Sequence, residues 1–543
     1  MIRGTLTTLG AITFAIILAV FVTWPQAIHM RTSIFSHHDP YFSIWRISWI
    51  AHALVTSPLH LFDANVFYPA KDTLAFSDAT LLEGLLGAPF LWMHASPVFV
   101  YNVLFLTGFA GSAVAMFVLA RHLTGSTGPA LVAAAVFTMA PYRIEHVMHL
   151  ELQWAMFVPL TFWALHRAMD ERSWRFGILA GVGFWLQLLS CVYYGVFLAI
   201  LLIAFVPLLL VLSGRRALGA LPGIGAGAVL ALALSLPYLW PYLTASRALG
   251  ARDLAEIARY SAHPSNYLSA TQLSVLWGWT SDRWGDRELR LFPGIVAIVL
   301  SLFSVANRSW RWTVLYALVA LLAVDLSFGI NGSAYRWLSD HIGALRGFRS
   351  ASRFAMLAMC GVAMLAALGT QAIIDRDLLA SRRGVVVPLI LGLVFLDYAN
   401  RPMPLSREDL GTSDLYKVIR SGGPGVIMEL PVATPDRLPG WDVNYAFWSI
   451  SHWHPLVNGY SGYHPADYLN TLMAMRTFPD NASIARLQAH DVKYVVLHRA
   501  YYDTEPYTQL LLKIAVRPEL KAWGTYKDPV GTADVFVLEP LSH

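Results

Sequence analysis

Apolar runs of bilayer-crossing length recur along this chain, and they constrain its fold more than any other feature. A spanning helix needs about 17 to 25 mostly apolar residues. Runs of this kind fall near 6–24, 98–119, 129–141, 150–169, 176–192, 194–212, 217–239, 292–306, 311–328, 353–374 and 385–400, the one at 129–141 being short. Hydrocarbon offers the backbone no water to bond, so each run is expected to be helical. Only 13% of the 543 residues are charged, against about 25% in soluble domains. The expectation is a polytopic α-helical membrane protein with about eleven transmembrane helices.

Charge placement gives an independent reading of orientation. With the N-terminal end in the cytoplasm, alternate short loops hold Arg121, then Arg167, Arg172 and Arg175, then Arg215 and Arg216, then Arg308 and Arg311, then Arg376, Arg382 and Arg383. This is the basic bias expected of cytoplasmic loops. Counting the apolar stretch 80–93 as a further span would reverse every later loop and destroy the agreement, so it is read as a re-entrant or interfacial helix. The first run ends in Trp24 and Pro25 with no small-residue cleavage pattern, and is expected to remain as a span.

This topology places the long loop 25–97, the turn PYRIEHVMHLEL, the loops 240–290 and 329–352 and everything beyond 400 on the extracytoplasmic face. Residues 1–400 read as a transmembrane domain. Polar residues return in 401–543, with strand-like pieces GVIMELPV, VKYVVLH and TADVFVLE between helix-like pieces, which predicts a small extracytoplasmic α/β domain. Cys191 and Cys360 lie in apolar runs as packing residues. The net charge of +5 comes without a basic, aromatic-interleaved cluster, so no nucleic-acid partner is expected. Membrane lipids are.

Ionisable residues crowd that one face. Asp39, in FSHHDPYFSIWRISWIAH, follows the first span, where a carboxylate needs either water or a working role. It could cap the helix beginning near Pro40, or take a proton from an attacking hydroxyl. His37 and His38 beside it read as supporting partners, metal ligands or ordinary loop residues, adjacent histidines converging on one ion only with difficulty. The stretch 41–56 reads as an amphipathic helix at the membrane surface. In the turn after the 129–141 run, Glu145 and His149, four apart, would share a helix face with each other, as would His149 and Gln153, with Glu151 beside them. Arg346, Arg349 and Arg353 in GALRGFRSASRF sit against the positive-inside bias and suit an anionic partner, or anchor at the interface. The 240–290 loop, with Tyr242, Arg252 and several Trp, reads as an interfacial belt or a sugar platform. Asn458 and Tyr460, in WHPLVNGYSGYHP, read as turn residues or as a part of the 401–543 domain that reaches the site.

Together, HHDPYFSIWRISW, the HLELQW turn, FRSASRF, the long first loop and the trailing domain resemble the GT-C superfamily of integral-membrane glycosyltransferases. NGYSGYHP and HDVKYVVLH resemble the last domain of bacterial YfhO-like members. The resemblance implies a polyprenyl-phosphate-linked sugar donor and a glycan, lipid or protein acceptor. It also implies Asp39 as general base, with His38, Glu145, His149, Glu151, Arg349, Arg353, Asn458 and Tyr460 binding substrate. It further implies residence in a bacterial cytoplasmic membrane and work on cell-envelope polysaccharide. Many members carry two acidic residues where this chain has His-His-Asp, so no cofactor is assigned and a divalent metal stays open. The alternative is a non-catalytic protein of the same architecture, in lipid-glycan transport or envelope assembly. Transport calls for polar groups at mid-membrane depth, and within the spans only Gln187 and Asp325 stand out, which favours chemistry at the face.

Overall fold

The computed structural model describes residues 2–250, 252–376, 381–408 and 413–539. Each apolar run is helical. Among the described residues, five helical stretches are long and apolar enough to cross a membrane: Pro97–Thr124, Val192–Ser213, Arg215–Leu249, Trp310–Ser327 and Ala351–Ile374. The chain is an integral membrane protein. The other runs fold as Ile2–Val22, Thr127–Thr138, Phe157–Glu171, Trp174–Ser190, Ile295–Phe303 and Arg383–Asp397. Local breaks account for several of the shorter ones. The 129–141 run stops before Pro141, the 150–169 run is interrupted after Gln153, and the 292–306 run opens with Pro293 and Gly294, the latter at φ 92°.

The helix Phe354–Ile374 lies at the centre. It packs against Pro97–Thr124, Thr127–Thr138, Ile295–Phe303 and Trp310–Ser327, and most of its residues are buried. A helix apolar all round must be enclosed by protein or lipid; here protein encloses it, and the 3-10 turn just before it carries Arg353 into the interior. Trp174–Ser190 crosses Leu221–Leu249 at backbone contact. A Cβ on Gly181 would lie 2.1 Å from the Gly227 carbonyl oxygen, and one on Gly177 2.3 Å from the Gly223 carbonyl carbon. Small residues four apart on both helices permit this approach, which gains dispersion contacts where lipid offers no hydrophobic drive.

The first long connection holds two helices, His38–Thr56 and Leu81–Trp92. The second rises about 18 Å, short of the roughly 30 Å of hydrocarbon. The first differs from the surface-lying helix the sequence suggests. Residues 42–51 are all buried, packed on Leu81–Trp92 and on the late helix Asp442–Trp448. Trp45 Nε1 donates to Asn65 Oδ1 at 3.1 Å and Trp49 Nε1 to the Leu61 carbonyl at 2.8 Å, so the indoles are satisfied inside the protein. Its covering partner lies some four hundred residues later, beyond the reach of a pattern argument.

Strands β1 (Ser33–Phe35) and β2 (Leu405–Arg407) pair antiparallel and tie the end of the membrane region to the first connection. Strands β3 (Val426–Leu430), β4 (Val492–His498), β5 (Leu520–Asp528) and β6 (Gly531–Leu538) form one sheet in the order β3-β4-β6-β5, with β3 and β4 parallel and the rest antiparallel. Helices Asp414–Ser421, Asn481–Ala489 and Thr504–Ala515 accompany it.

Candidate active site

Asp39 occupies the first turn of His38–Thr56, where the helix dipole favours a carboxylate. It is not the cap: His37 is, its Nδ1 accepting the Asp39 backbone N–H at 3.2 Å. That leaves the carboxylate for tertiary partners. Tyr460 Oη donates to Oδ1 at 2.5 Å, while Oδ2 lies 3.3 Å from His37 Nδ1 and 3.5 Å from His149 Nδ1. Burial pushes this carboxyl up, but His149, His37 and the Tyr460 hydroxyl outweigh it and hold Asp39 well below the usual carboxylate range.

The turn bearing His149 is not one helix. It breaks into Pro141–Glu145 and Leu150–Gln153 with a bend between, so residues four apart diverge. Glu145 pairs with Arg290 at 2.8 Å, and Arg290 also bonds Asp282 at 2.8 Å. Gln153 bonds Arg143 and the His146 carbonyl. His149 alone of this set turns to Asp39, and it lies 3.9 Å from Glu151 Oε1. Glu151 is held by Arg46 at 3.0 Å, both buried.

Arg349 and Arg353 likewise do not share one helix face, since a 3-10 turn covers 351–353 and the helix starts at Phe354. Tertiary structure brings both to one cavity all the same. Arg353 meets Glu288 at 3.4 Å and lies over the Tyr193 ring. Arg349 meets Glu256 at 3.5 Å, which also receives Arg252 at 2.8 Å. Burial acts to raise the Glu288 carboxyl, but Arg353 and Arg349 hold it down to about 2.

That cavity, of about 650 Å³, is lined by Asp39, Arg46, Asp78, His149, Glu151, Arg349, Arg353 and Tyr460 at its polar end. Leu236, Leu239, Leu243, Ile342 and Leu345 form an apolar flank. Tyr463 roofs it, its ring 3.6 Å from the Arg252 guanidinium and its hydroxyl donating to the Gly347 carbonyl at 3.1 Å. The structure does not bring His38, Glu145 or Asn458 to this lining. His38 is exposed. Asn458 is buried under β3: its Oδ1 accepts the Glu429 N–H at 2.8 Å, and its amide donates to the Glu429 carbonyl at 3.0 Å and Asp442 Oδ1 at 3.1 Å. All its polar capacity goes to fastening the loop that presents Tyr460.

Sequence reasoning passed over Arg46, Asp78 and Glu288. Burial, with Glu151 nearby, pushes the Asp78 carboxyl up. Arg46 did leave a signal, a single cation inside the apolar stretch YFSIWRISWIAH; Glu288, among other charges in WGDREL, left none. Among the described residues no group of three or more His, Cys, Asp or Glu is arranged to hold a metal ion.

No protein-family model matches the chain, and no curated protein is similar to it in sequence. Solved structures with a similar fold include an arabinofuranosyltransferase. The arabinofuranosyltransferase AftD from Mycobacteria superposes with a TM-score of 0.62 at 13% identity over 99% of this chain and 40% of its own. ArnT from Cupriavidus metallidurans, in the apo state, gives 0.47 at 12% identity over 98% of both chains. The chain spans about two fifths of the length of the arabinofuranosyltransferase.

Proposed function

We propose that this chain, built on the GT-C membrane fold, is a glycosyltransferase that moves a sugar from a polyprenyl-phosphate carrier to an acceptor hydroxyl on a glycan, lipid or protein. The work would take place at the extracytoplasmic face of a bacterial cytoplasmic membrane, the N-terminal end being cytoplasmic and the 401–543 domain extracytoplasmic. One observation carries the reading: the Asp39 carboxylate, the half-buried Arg349 and the buried Arg353, distant in sequence, line one cavity with an apolar flank. That combination suits a molecule with a lipid tail, a phosphate and a sugar.

In this reading the tail lies along Leu236, Leu239 and Leu243, and the phosphate meets Arg349 and Arg353. Asp39 draws the proton from the acceptor hydroxyl as its oxygen attacks the anomeric carbon. The transition state has oxocarbenium character, and the departing phosphate gains charge. Glu288 and Glu256 each engage part of a guanidinium that has five N–H donors, so the arginines are aimed before substrate arrives. Donors already in place stabilise the developing charge more than the ground state, and losing one costs about 3 kcal/mol.

The test is transfer of labelled sugar from a panel of synthetic polyprenyl-phosphate sugars by the purified protein in nanodiscs. Transfer that depends on Asp39 is the expected result. A protein that neither binds these lipids nor transfers from any of them is not this enzyme.

A further inference from the structure

Asp39 is a good place for a proton to pass through and a poor place for it to stay. The Tyr460 hydroxyl donates to its Oδ1 at 2.5 Å and favours the ionised carboxylate, so a proton taken from an acceptor would be driven onward. Two imidazoles border the other oxygen, Oδ2. His37 is committed: its Nδ1 lone pair already accepts the Asp39 backbone N–H, and a third of its side chain is exposed. His149 is not. Its Nδ1 lies 3.5 Å from Asp39 Oδ2 and 3.9 Å from Glu151 Oε1, and the ring lines the cavity, mostly buried.

We propose that His149 is the terminal proton acceptor of the transfer reaction, receiving through Asp39 the proton the acceptor hydroxyl gives up. The proposal rests on the glycosyl-transfer reading above. As the acceptor O–H bond breaks, its oxygen bonds the anomeric carbon, and the bond from that carbon to the phosphate oxygen breaks with its electron pair leaving on phosphate. The proton goes to Asp39 and then from Oδ2 to His149 Nδ1. The resulting imidazolium lies between two carboxylates, Asp39 and Glu151. Burial lowers the basicity of His149, and Asp39, Arg353, Glu151 and Glu288 are the charged groups that bear on it; His146 lies alongside, ring centroids 6.0 Å apart. The free imidazole is therefore neutral near neutral pH, ready to accept. Opposed by Arg353, the imidazolium then gives the proton to solvent through the cavity.

The experiment is the pH dependence of kcat/KM for transfer by the full-length protein in nanodiscs, wild type against His149→Gln. The wild type should lose rate on the acid side in one proton step, as the imidazole becomes charged before substrate binds. His149→Gln should lack that step and run about a hundredfold or more slower. Its deficit should shrink with an acceptor whose hydroxyl is already acidic. Added imidazole should restore His149→Ala in part. If His149→Gln keeps both the acid step and the rate, His149 is not the acceptor. If the variants do not fold, the temperature dependence of the wild-type step decides: steep for an imidazole, nearly flat for a carboxylate, and a flat step overturns the proposal. A wild type that transfers no sugar refutes the glycosyl-transfer reading itself, whereas transfer with an unchanged profile in His149→Gln refutes this inference alone.

Discussion

Asp39→Asn separates chemistry from fold more cleanly than any other substitution at this site. The side chain keeps its size, and the amide oxygen still accepts the Tyr460 hydroxyl that now lies 2.5 Å from Oδ1. The amide nitrogen replaces Oδ2 and faces His149 Nδ1, 3.5 Å away, a neutral ring nitrogen able to accept. What disappears is the negative charge and the ability to take a proton. General-base catalysis contributes about 10²- to 10⁴-fold, so the barrier should rise by about 2.7 to 5.5 kcal/mol. Donor affinity, which the proposal assigns to Arg349 and Arg353, should hardly change. Stability changes with a definite sign. The folded carboxyl is held below its ordinary value, so its contribution is present above the unfolded carboxylate range and fades as pH falls through the folded value. The variant should therefore be somewhat less stable at neutral pH, the gap closing in acid. The assay pairs single-turnover transfer of labelled sugar with lipid-phosphate binding and thermal unfolding. A kcat within about twofold of wild type, about 0.4 kcal/mol, would remove Asp39 from the chemistry.

Other perturbations have distinct expected outcomes. Arg349→Gln should weaken lipid-phosphate binding and slow transfer about a hundredfold with little loss of stability, because Glu256 keeps Arg252. Arg353→Gln should also destabilise the fold by about 1 to 3 kcal/mol, since it leaves the partly buried Glu288 with the Ser350 hydroxyl but without its arginine, and the double change with Glu288→Gln should recover the melting temperature but not the activity. Asn458→Ala removes three buried hydrogen bonds and should cost about 3 kcal/mol in thermal unfolding, lowering activity by freeing the Tyr460 loop. In the C-terminal sheet, His498 is fully buried between Glu429 and Asp528, 2.7 Å from each. Burial pushes its imidazole down, but the bonds to Asp528 and Glu429 outweigh this and raise it above its ordinary value. That contribution to stability is full below about pH 6.5 and is lost as pH rises through the folded value. The melting temperature should fall over that alkaline window, and His498→Gln should flatten the dependence.

Hydrophobic pattern made the helices legible because it is local. A run of apolar residues in lipid has one way to satisfy its backbone, whatever lies elsewhere in the chain. The strand pieces at 425–432, 492–498 and 532–539 coincide with β3, β4 and β6 for the same reason: buried strands advertise themselves as apolar runs. Strand β5 left no such mark. LKAWGTYKD lies at the sheet edge with much of it exposed, and an edge tolerates lysine and glycine. Helix-face arguments at 145–153 and 349–353 assumed one continuous helix. The turn at 146–149 sent Glu145 to Arg290 and His149 to Asp39, and the one at 351–353 sent Arg349 to Glu256 and Arg353 to Glu288.

By itself, then, the sequence determined a many-helix membrane chain, the crowding of ionisable residues in its connections and at its helix mouths, and Asp39, His149, Arg349 and Arg353 as residues that need a partner or a role so close to lipid. Only tertiary structure decided which of them meet. The burial of the His38–Thr56 helix depends on a covering segment near residue 445, and the hydroxyl on Asp39 arrives from residue 460. Such pairings leave no periodic trace, because they are set by how whole helices pack and not by the spacing of residues along any one of them.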